Sequence, residues 1–299
     1  MRVLSVGDCV PNGVFQPHSR FERAANFRGS RGVVSVVTPD VGAGPVSIVV
    51  EALGPMPAGA LTVGGFGARG RRIALGGHEL DTGTAVAHES CVSLPAWSRS
   101  VLASNLTVLA GFLSGHAPAR SLAFLVDPRR ASEFRPGFER AVATHLRDCA
   151  RDAIQGDVIR AAHRMAGCGF GLTPSGDDFI CGVLVAMRVG ETADDVSLWP
   201  LRREIGAAAR TGNALTDAFL SLACAGRVSA KTQSLLRALV AGSPDEVVGA
   251  ARAVVSTGET SGADFTVGLL MQLRAYVPRA VAAKARVLCT PPCGDAVYH

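Results

Sequence analysis

Aromatic residues make up only 5% of this 299-residue chain, which holds two tryptophans and two tyrosines. Charge is also thin, at 18% of residues and a formal net charge of +5. The first 130 residues carry 12 Lys/Arg against 8 Asp/Glu, and the remainder is close to balance. With no long basic run and no interleaved aromatics, a nucleic-acid partner is not expected. A mild positive excess suits a small anionic substrate better. The densest basic cluster, Arg69, Arg71 and Arg72, reads as a solvated hairpin or as a holder of carboxylate or phosphate. No uninterrupted apolar run reaches the roughly 20 residues of a membrane-spanning helix, so no membrane partner is expected. Met1-Arg2-Val3-Leu4-Ser5-Val6-Gly7-Asp8 meets a charge before any apolar core, so a signal peptide is not expected either. Eight cysteines, at positions 9, 91, 149, 168, 181, 224, 289 and 293, include no Cys-x-x-Cys pair. They read as ordinary buried thiols of a soluble protein in a reducing cytoplasm.

Several catalytic signatures are missing as well. The glycine-rich stretch Gly167-Cys168-Gly169-Phe170-Gly171 is not closed by Gly-Lys-Ser/Thr, and it follows a helical pattern where a dinucleotide fingerprint follows a strand. No Gly-x-Ser-x-Gly elbow occurs. His78-Glu79, His88-Glu89 and His163 stand apart, without paired ligand spacing for zinc. Cys168 and Cys181 have no clear base nearby, which argues against a thiol nucleophile.

What the chain does have is a large apolar fraction, 48%, ample for a sizeable core. Short β-branched or apolar runs, Val33–Val37, Val46–Val50, Arg71–Leu75 and Ser121–Val126, are separated by Gly/Pro/Asp turns and predict strands. One helix is expected near 97–113. After Asp127-Pro128 the period becomes helical, with helices expected at 138–155, 157–165, 175–189, 201–210, 214–225, 229–241, 245–256, 262–275 and 279–287. Gly226, Gly242 and Gly258 follow such segments as C-terminal glycines do. The fold class is therefore read as α+β. A β-rich domain, barrel or sandwich-like, spans residues 1–127, and an all-helical domain spans 128–299.

One feature of the helical part stands out. Ser175-Gly176-Asp177-Asp178-Phe179-Ile180-Cys181-Gly182-Val183-Leu184 is nearly repeated by Ser261-Gly262-Ala263-Asp264-Phe265-Thr266-Val267-Gly268-Leu269-Leu270, an offset of 261 − 175 = 86 residues. Both copies begin with Ser-x-x-Asp, a capping-box arrangement at a helix start. The mid-helix glycines Gly182 and Gly268 each cost about 1 kcal/mol relative to alanine, tolerable if two backbones approach closely. Packing accounts for those residues. It does not account for the glycine run before the first copy, or for Asp177, which Ala263 replaces in the second.

A glycine-rich turn ahead of a helix lets backbone N–H groups and the helix dipole meet an anion. A second carboxylate there suggests a metal ligand, with Mg²⁺ the ion in view, or an acceptor for an amide or urea-like nitrogen. The candidate catalytic residues are Asp177 and Asp178. Candidates for binding substrate or phosphate are Gly169, Gly171, Thr173, Ser175, Gly176, Ser261, Gly262 and Asp264. Thr211 and Asn213 join them from a helix junction where they also read as an N-cap. The two helix starts are expected to converge.

The string Gly169-Phe170-Gly171-Leu172-Thr173-Pro174-Ser175-Gly176-Asp177-Asp178-Phe179 resembles the signature of the AllH-type family, a subunit of bacterial oxamate carbamoyltransferase in anaerobic allantoin breakdown. Phe21–Phe27, Gly44–Ile48 and Thr260-Ser261-Gly262-x-Asp264 are also similar to the family pattern. At Thr211-Gly212-Asn213 the chain departs from it, since a Thr-Thr-x-x-Ser segment is expected there. The resemblance implies a reaction among oxalurate, phosphate, oxamate and carbamoyl phosphate, with FdrA-like and AllG-like companion subunits. It carries Thr173, Ser175, Gly176, Asp177 and Asp178 over as site residues. Two alternatives stay open from the residues themselves: a non-catalytic scaffold subunit, and a Mg²⁺-dependent small-molecule kinase or phosphotransferase.

Overall fold

The computed structural model describes residues 1–53, 59–67, 70–170, 173–194 and 196–279. The chain divides into two compact units, and the α+β expectation holds.

The first unit contains residues 1–91 together with 227–231. Its strands are β1 (Val3–Gly7), β2 (Gly13–Arg20), β3 (Ala24–Gly29), β4 (Gly32–Val37), β5 (Ser47–Val50), β6 (Leu61–Gly67), β7 (Gly70–Leu75), β8 (His78–Glu79) and β9 (Val86–His88). They form one nine-stranded sheet in the order β8-β7-β6-β2-β3-β4-β5-β1-β9. The pairs β4–β5 and β1–β9 run parallel and the others antiparallel. The central β4 and β5 are buried almost throughout, which is why their valine runs do not alternate. Toward the edge, Phe15, Leu61, Ile73 and Leu75 point into the core that Val3, Val34 and Ile48 share.

Residues 227–231 return to this sheet from the helical part. Val228 N–H donates to the Ser90 carbonyl at 2.9 Å, and Ala230 N–H to that of Ala43 at 2.9 Å. Arg227 pairs with Asp8, which also accepts from the Ser90 hydroxyl at 2.6 Å. Arg71 reaches the Val10 carbonyl and Asn12 Oδ1, so it braces a turn of this unit. Arg69 lies outside the described residues.

The second unit contains residues 92–226 and the described residues from 232 onward. Its helices are α1 (Arg99–His116), α2 (Phe138–Gln155), α3 (Val158–Met165), α4 (Ser175–Asp194), α5 (Trp199–Ala208), α6 (Ala214–Cys224), α7 (Ala230–Ala241), α8 (Pro244–Val255) and α9 (Ser261–Arg279). The last strand ends at His88 and the first helix begins at Arg99. Ser121–Val126 is not a strand: Leu122–Leu125 forms a 3₁₀ turn packed under α9. A short apolar run with Pro118 and Pro128 on either side carries no periodicity to separate the two states. The helix expected at 279–287 falls outside the described residues beyond Arg279.

Helices α4 and α9 form the centre of this unit. Every residue of α4 from Ser175 to Met187 is buried, as expected of a helix apolar on all sides. The two helices touch through their glycines. A β-carbon at Gly182 would stand 2.1 Å from the Phe265 carbonyl oxygen, and one at Gly268 would stand 2.1 Å from that of Phe179. Each repeat thus presses its glycine against the phenylalanine backbone of the other.

Candidate functional site

The reciprocity continues at the helix starts. The Ser175 hydroxyl of α4 faces Asp264 of α9 and the Ser261 hydroxyl of α9 faces Asp178 of α4, each favouring ionisation of the carboxylate it faces. Thr173 adds a second hydroxyl to Asp178. Thr260 adds one to Asp264, whose Oδ1 also accepts the Leu122 N–H at 2.6 Å. The Ser-x-x-Asp pattern therefore does not act as a capping box within its own helix: each serine faces the aspartate of the other helix. Gly176 and Gly262 occupy matching places: a β-carbon would meet the Met165 carbonyl oxygen at 2.3 Å in one case and that of Val254 at 2.1 Å in the other. Ser175, Gly176, Asp178, Ser261, Gly262 and Asp264 thus lie together at the two helix starts.

Burial makes these carboxylates unusual. Asp177, Asp178 and Asp264 are 1%, 7% and 0% exposed, and the Oδ2 of each has no hydrogen-bond partner. Desolvation pushes Asp264 up to about 7, although the Leu122 N–H and the Ser175 and Thr260 hydroxyls oppose it. Desolvation and then the neighbouring Asp264 raise Asp178 well above the usual carboxylate range. Asp177 is raised to about 6, first by burial and further by the charge of Asp217, while the Gly167 N–H at 2.9 Å from its Oδ1 pulls the other way. No basic side chain is among the groups that set Asp177.

A folded state that holds protons the unfolded chain would release loses stability as pH rises between the two pKa values. For Asp264 that window runs from about 4 to about 7. The expected loss is up to about 4 kcal/mol, at roughly 1.4 kcal/mol per pKa unit. Asp264→Asn keeps an acceptor for Leu122 and removes the titration. Urea unfolding should show the variant gaining on wild type by a few kcal/mol between acid and mildly alkaline pH. A constant difference across that range would refute this account of Asp264.

The glycine-rich turn behaves differently from the sequence expectation. Gly169 adopts φ 126°, and a β-carbon there would lie 2.4 Å from the Ser175 nitrogen, so only glycine lets the turn fold back on α4. The turn then caps the helix itself. Gly176 N–H donates to the Cys168 carbonyl at 2.8 Å, and the N–H groups of Asp177 and Asp178 donate to Pro174 at 2.9 and 3.2 Å. On α9, Gly262 N–H donates to Thr257 and Asp264 N–H to Thr260. These amides are occupied by the loops' own carbonyls, so Gly176 and Gly262 do not offer theirs to an anion. Gly171 lies outside the described residues.

Thr211 and Asn213 do adjoin the turn. The Thr211 methyl lies 3.4 Å from where a Gly167 β-carbon would be. Asn213 caps α6, its side chain accepting from the Leu215 and Thr216 N–H groups at 3.1 and 3.4 Å. Asp217, in the first turn of α6, was not singled out from sequence. Its carboxylate accepts the Thr211 and Gly212 N–H groups at 3.2 and 3.1 Å, which sets this junction beside Gly167 and Asp177. The only signal for it was an acid four residues after an N-cap asparagine, a pattern common in helices without special function.

The thiols are not activated. Burial and then the Asp177 charge raise Cys168, and burial and then Asp178 raise Cys181 far more. Among the described residues no three His, Cys, Asp or Glu side chains gather as a metal would require. A cleft of about 550 Å³ does occur in this unit, lined by Leu94, Trp97, Arg99 and Thr192. It lies near the opposite end of α4, and its Arg99 is already paired with Asp194.

Comparison with known families bears on this geometry. Residues 165–273 match the family model described as oxamate carbamoyltransferase subunit AllH. The helical unit thus contains a segment similar to that family. It begins at Met165, whose carbonyl packs on Gly176, and ends at Leu273 within α9, so it contains both repeats and Asp217. Neither curated proteins nor solved structures give a match to the chain. No helix among the described residues is long and apolar enough to cross a membrane.

Proposed function

We propose that this chain is a subunit of an oxamate carbamoyltransferase and that the α4–α9 helix starts are its contribution to the active site. The observation that carries the reading is a broken symmetry. The clasp accounts for Ser175, Gly176, Asp178 and Gly182, each of which has a counterpart in the second copy. Asp177 has none, because Ala263 occupies its place. Its Oδ1 holds the Gly167 N–H, and a buried second oxygen without a partner is costly unless a ligand completes it. The AllH-type match supplies the reaction class.

In that reaction the carbamoyl group passes between the oxamate nitrogen and a phosphate oxygen. When oxalurate is cleaved, the carbon–nitrogen bond breaks, a carbon–oxygen bond to phosphate forms, and the oxamate nitrogen takes up a proton. A carboxylate titrating near neutrality beside that nitrogen can hold its N–H and exchange its proton. Companion subunits, FdrA-like and AllG-like, complete the assembly in this proposal. The test is reconstitution: the companions with and without this chain, assayed for carbamoyl phosphate formed from oxalurate and phosphate. Turnover that is complete without the chain would remove the proposal. Turnover that needs the chain but survives every substitution at Asp177 would reduce it to a scaffold.

A further inference from the structure

We infer that the helix-start site takes a hydrogen-bond-donating nitrogen group, an amide, ureide or ammonium, and that phosphate is held elsewhere in the assembly. The inference rests on the reading of these helix starts as a substrate site, and it names which end of the substrate they meet.

Three observations on different elements agree. Three of the first four α4 amides, those of Gly176, Asp177 and Asp178, already donate to Cys168 and Pro174. Asp177 Oδ2 is buried and unpartnered, as are the Oδ2 atoms of Asp178 and Asp264, and each is an acceptor once its carboxyl is ionised. Around Asp177 stand further carboxylates: Asp178 on α4, and Asp217, which clamps the Thr211–Gly212 amides beside Gly167. A phosphate placed here would meet acceptors and like charge with no free donor among these groups to offset them. An N–H-bearing group meets the opposite situation, since each proton it offers satisfies an atom now without a partner. The Thr211 junction places Asp217 where it favours a donor or a cation over an anion.

Calorimetric titration of the full chain above neutral pH tests this with four probes: oxamate, urea, oxalate and inorganic phosphate. Oxalate shares oxamate's carbon skeleton but has a second carboxylate in place of the amide. Oxamate and urea should bind, and oxalate and phosphate should bind at least about tenfold more weakly than oxamate. Asp177→Asn, which turns a donor toward the ligand, should weaken oxamate by at least about tenfold. Should that variant fail to fold, the wild-type ranking of oxamate over oxalate decides the matter. Phosphate or oxalate binding as tightly as oxamate would overturn the inference, and so would absence of binding by all four probes. If the ranking holds while reconstituted oxalurate turnover fails, the carbamoyl reaction falls and the nitrogen site stands. If turnover succeeds with the ranking reversed, only the present inference falls.

Discussion

Asp177→Asn is expected to lower kcat/KM of the reconstituted enzyme by roughly a hundredfold, the lower end of what a lost acid–base group costs. The substitution is close to isosteric, and Gly167 N–H can still donate to the amide oxygen, so folding should survive. Two further readouts separate a chemical role from a packing role. In the oxamate-carbamoylating direction, wild-type activity should rise as pH passes about 6, because only the ionised carboxyl can take the proton that the oxamate nitrogen loses. Asp217→Asn removes a negative charge that raises Asp177, so its activity profile should move to lower pH. The groups facing Asp177 are Asp217 on α6, Asp178 and Cys181 on its own helix, and Cys168 in the turn. Of these, Asp217 is the one whose charge feeds into the shift. An unchanged profile in Asp217→Asn, or near-normal turnover in Asp177→Asn, would contradict the role given to this carboxylate.

Gly182→Ala and Gly268→Ala should each destabilise the protein by about 3 kcal/mol or more, toward or beyond the upper end of ordinary overpacking. The obstacle in each is a backbone carbonyl 2.1 Å from the new carbon, and a packed helix backbone cannot swing away as a side chain can. The helices must separate by an ångström or more, which would also part Ser175 from Asp264 and Ser261 from Asp178. Gly249→Ala in α8 is the control. Nothing lies within 4 Å of its β-carbon, so helix propensity alone should make it neutral or stabilising by up to about 1 kcal/mol. Chemical denaturation of the three variants would check the contrast. Equal stabilities would show that the α4–α9 contact has room to relax.

The sequence made the helical unit largely legible because its helices carry strong 3.6-residue periodicity and glycine or N-cap ends. Phe138–Gln155 agrees to the residue. The sheet was harder to read. The segment Gly13–Arg20 pairs on both sides yet exposes most of its residues, so it shows little apolar alternation. The duplicated motif announced a close helix pair, and its glycines suggested why. What it could not announce was that each serine faces the other helix's aspartate, because Ser-x-x-Asp looks the same whether the serine serves its own helix or a partner's. The occupied amides were illegible for a related reason. A glycine-rich turn exposes amides only if its own carbonyls point away, and Cys168 and Pro174 point in.

The excursion of residues 227–231 constrains the order in which the molecule can be made. Asp8 and Ser90 are finished by Arg227 and Val228, so an N-terminal sheet emerging from the ribosome lacks part of its own edge. That edge stays open until every helix through α6 has been synthesised. The sheet must either wait in an incomplete form or be shielded by a chaperone during that interval.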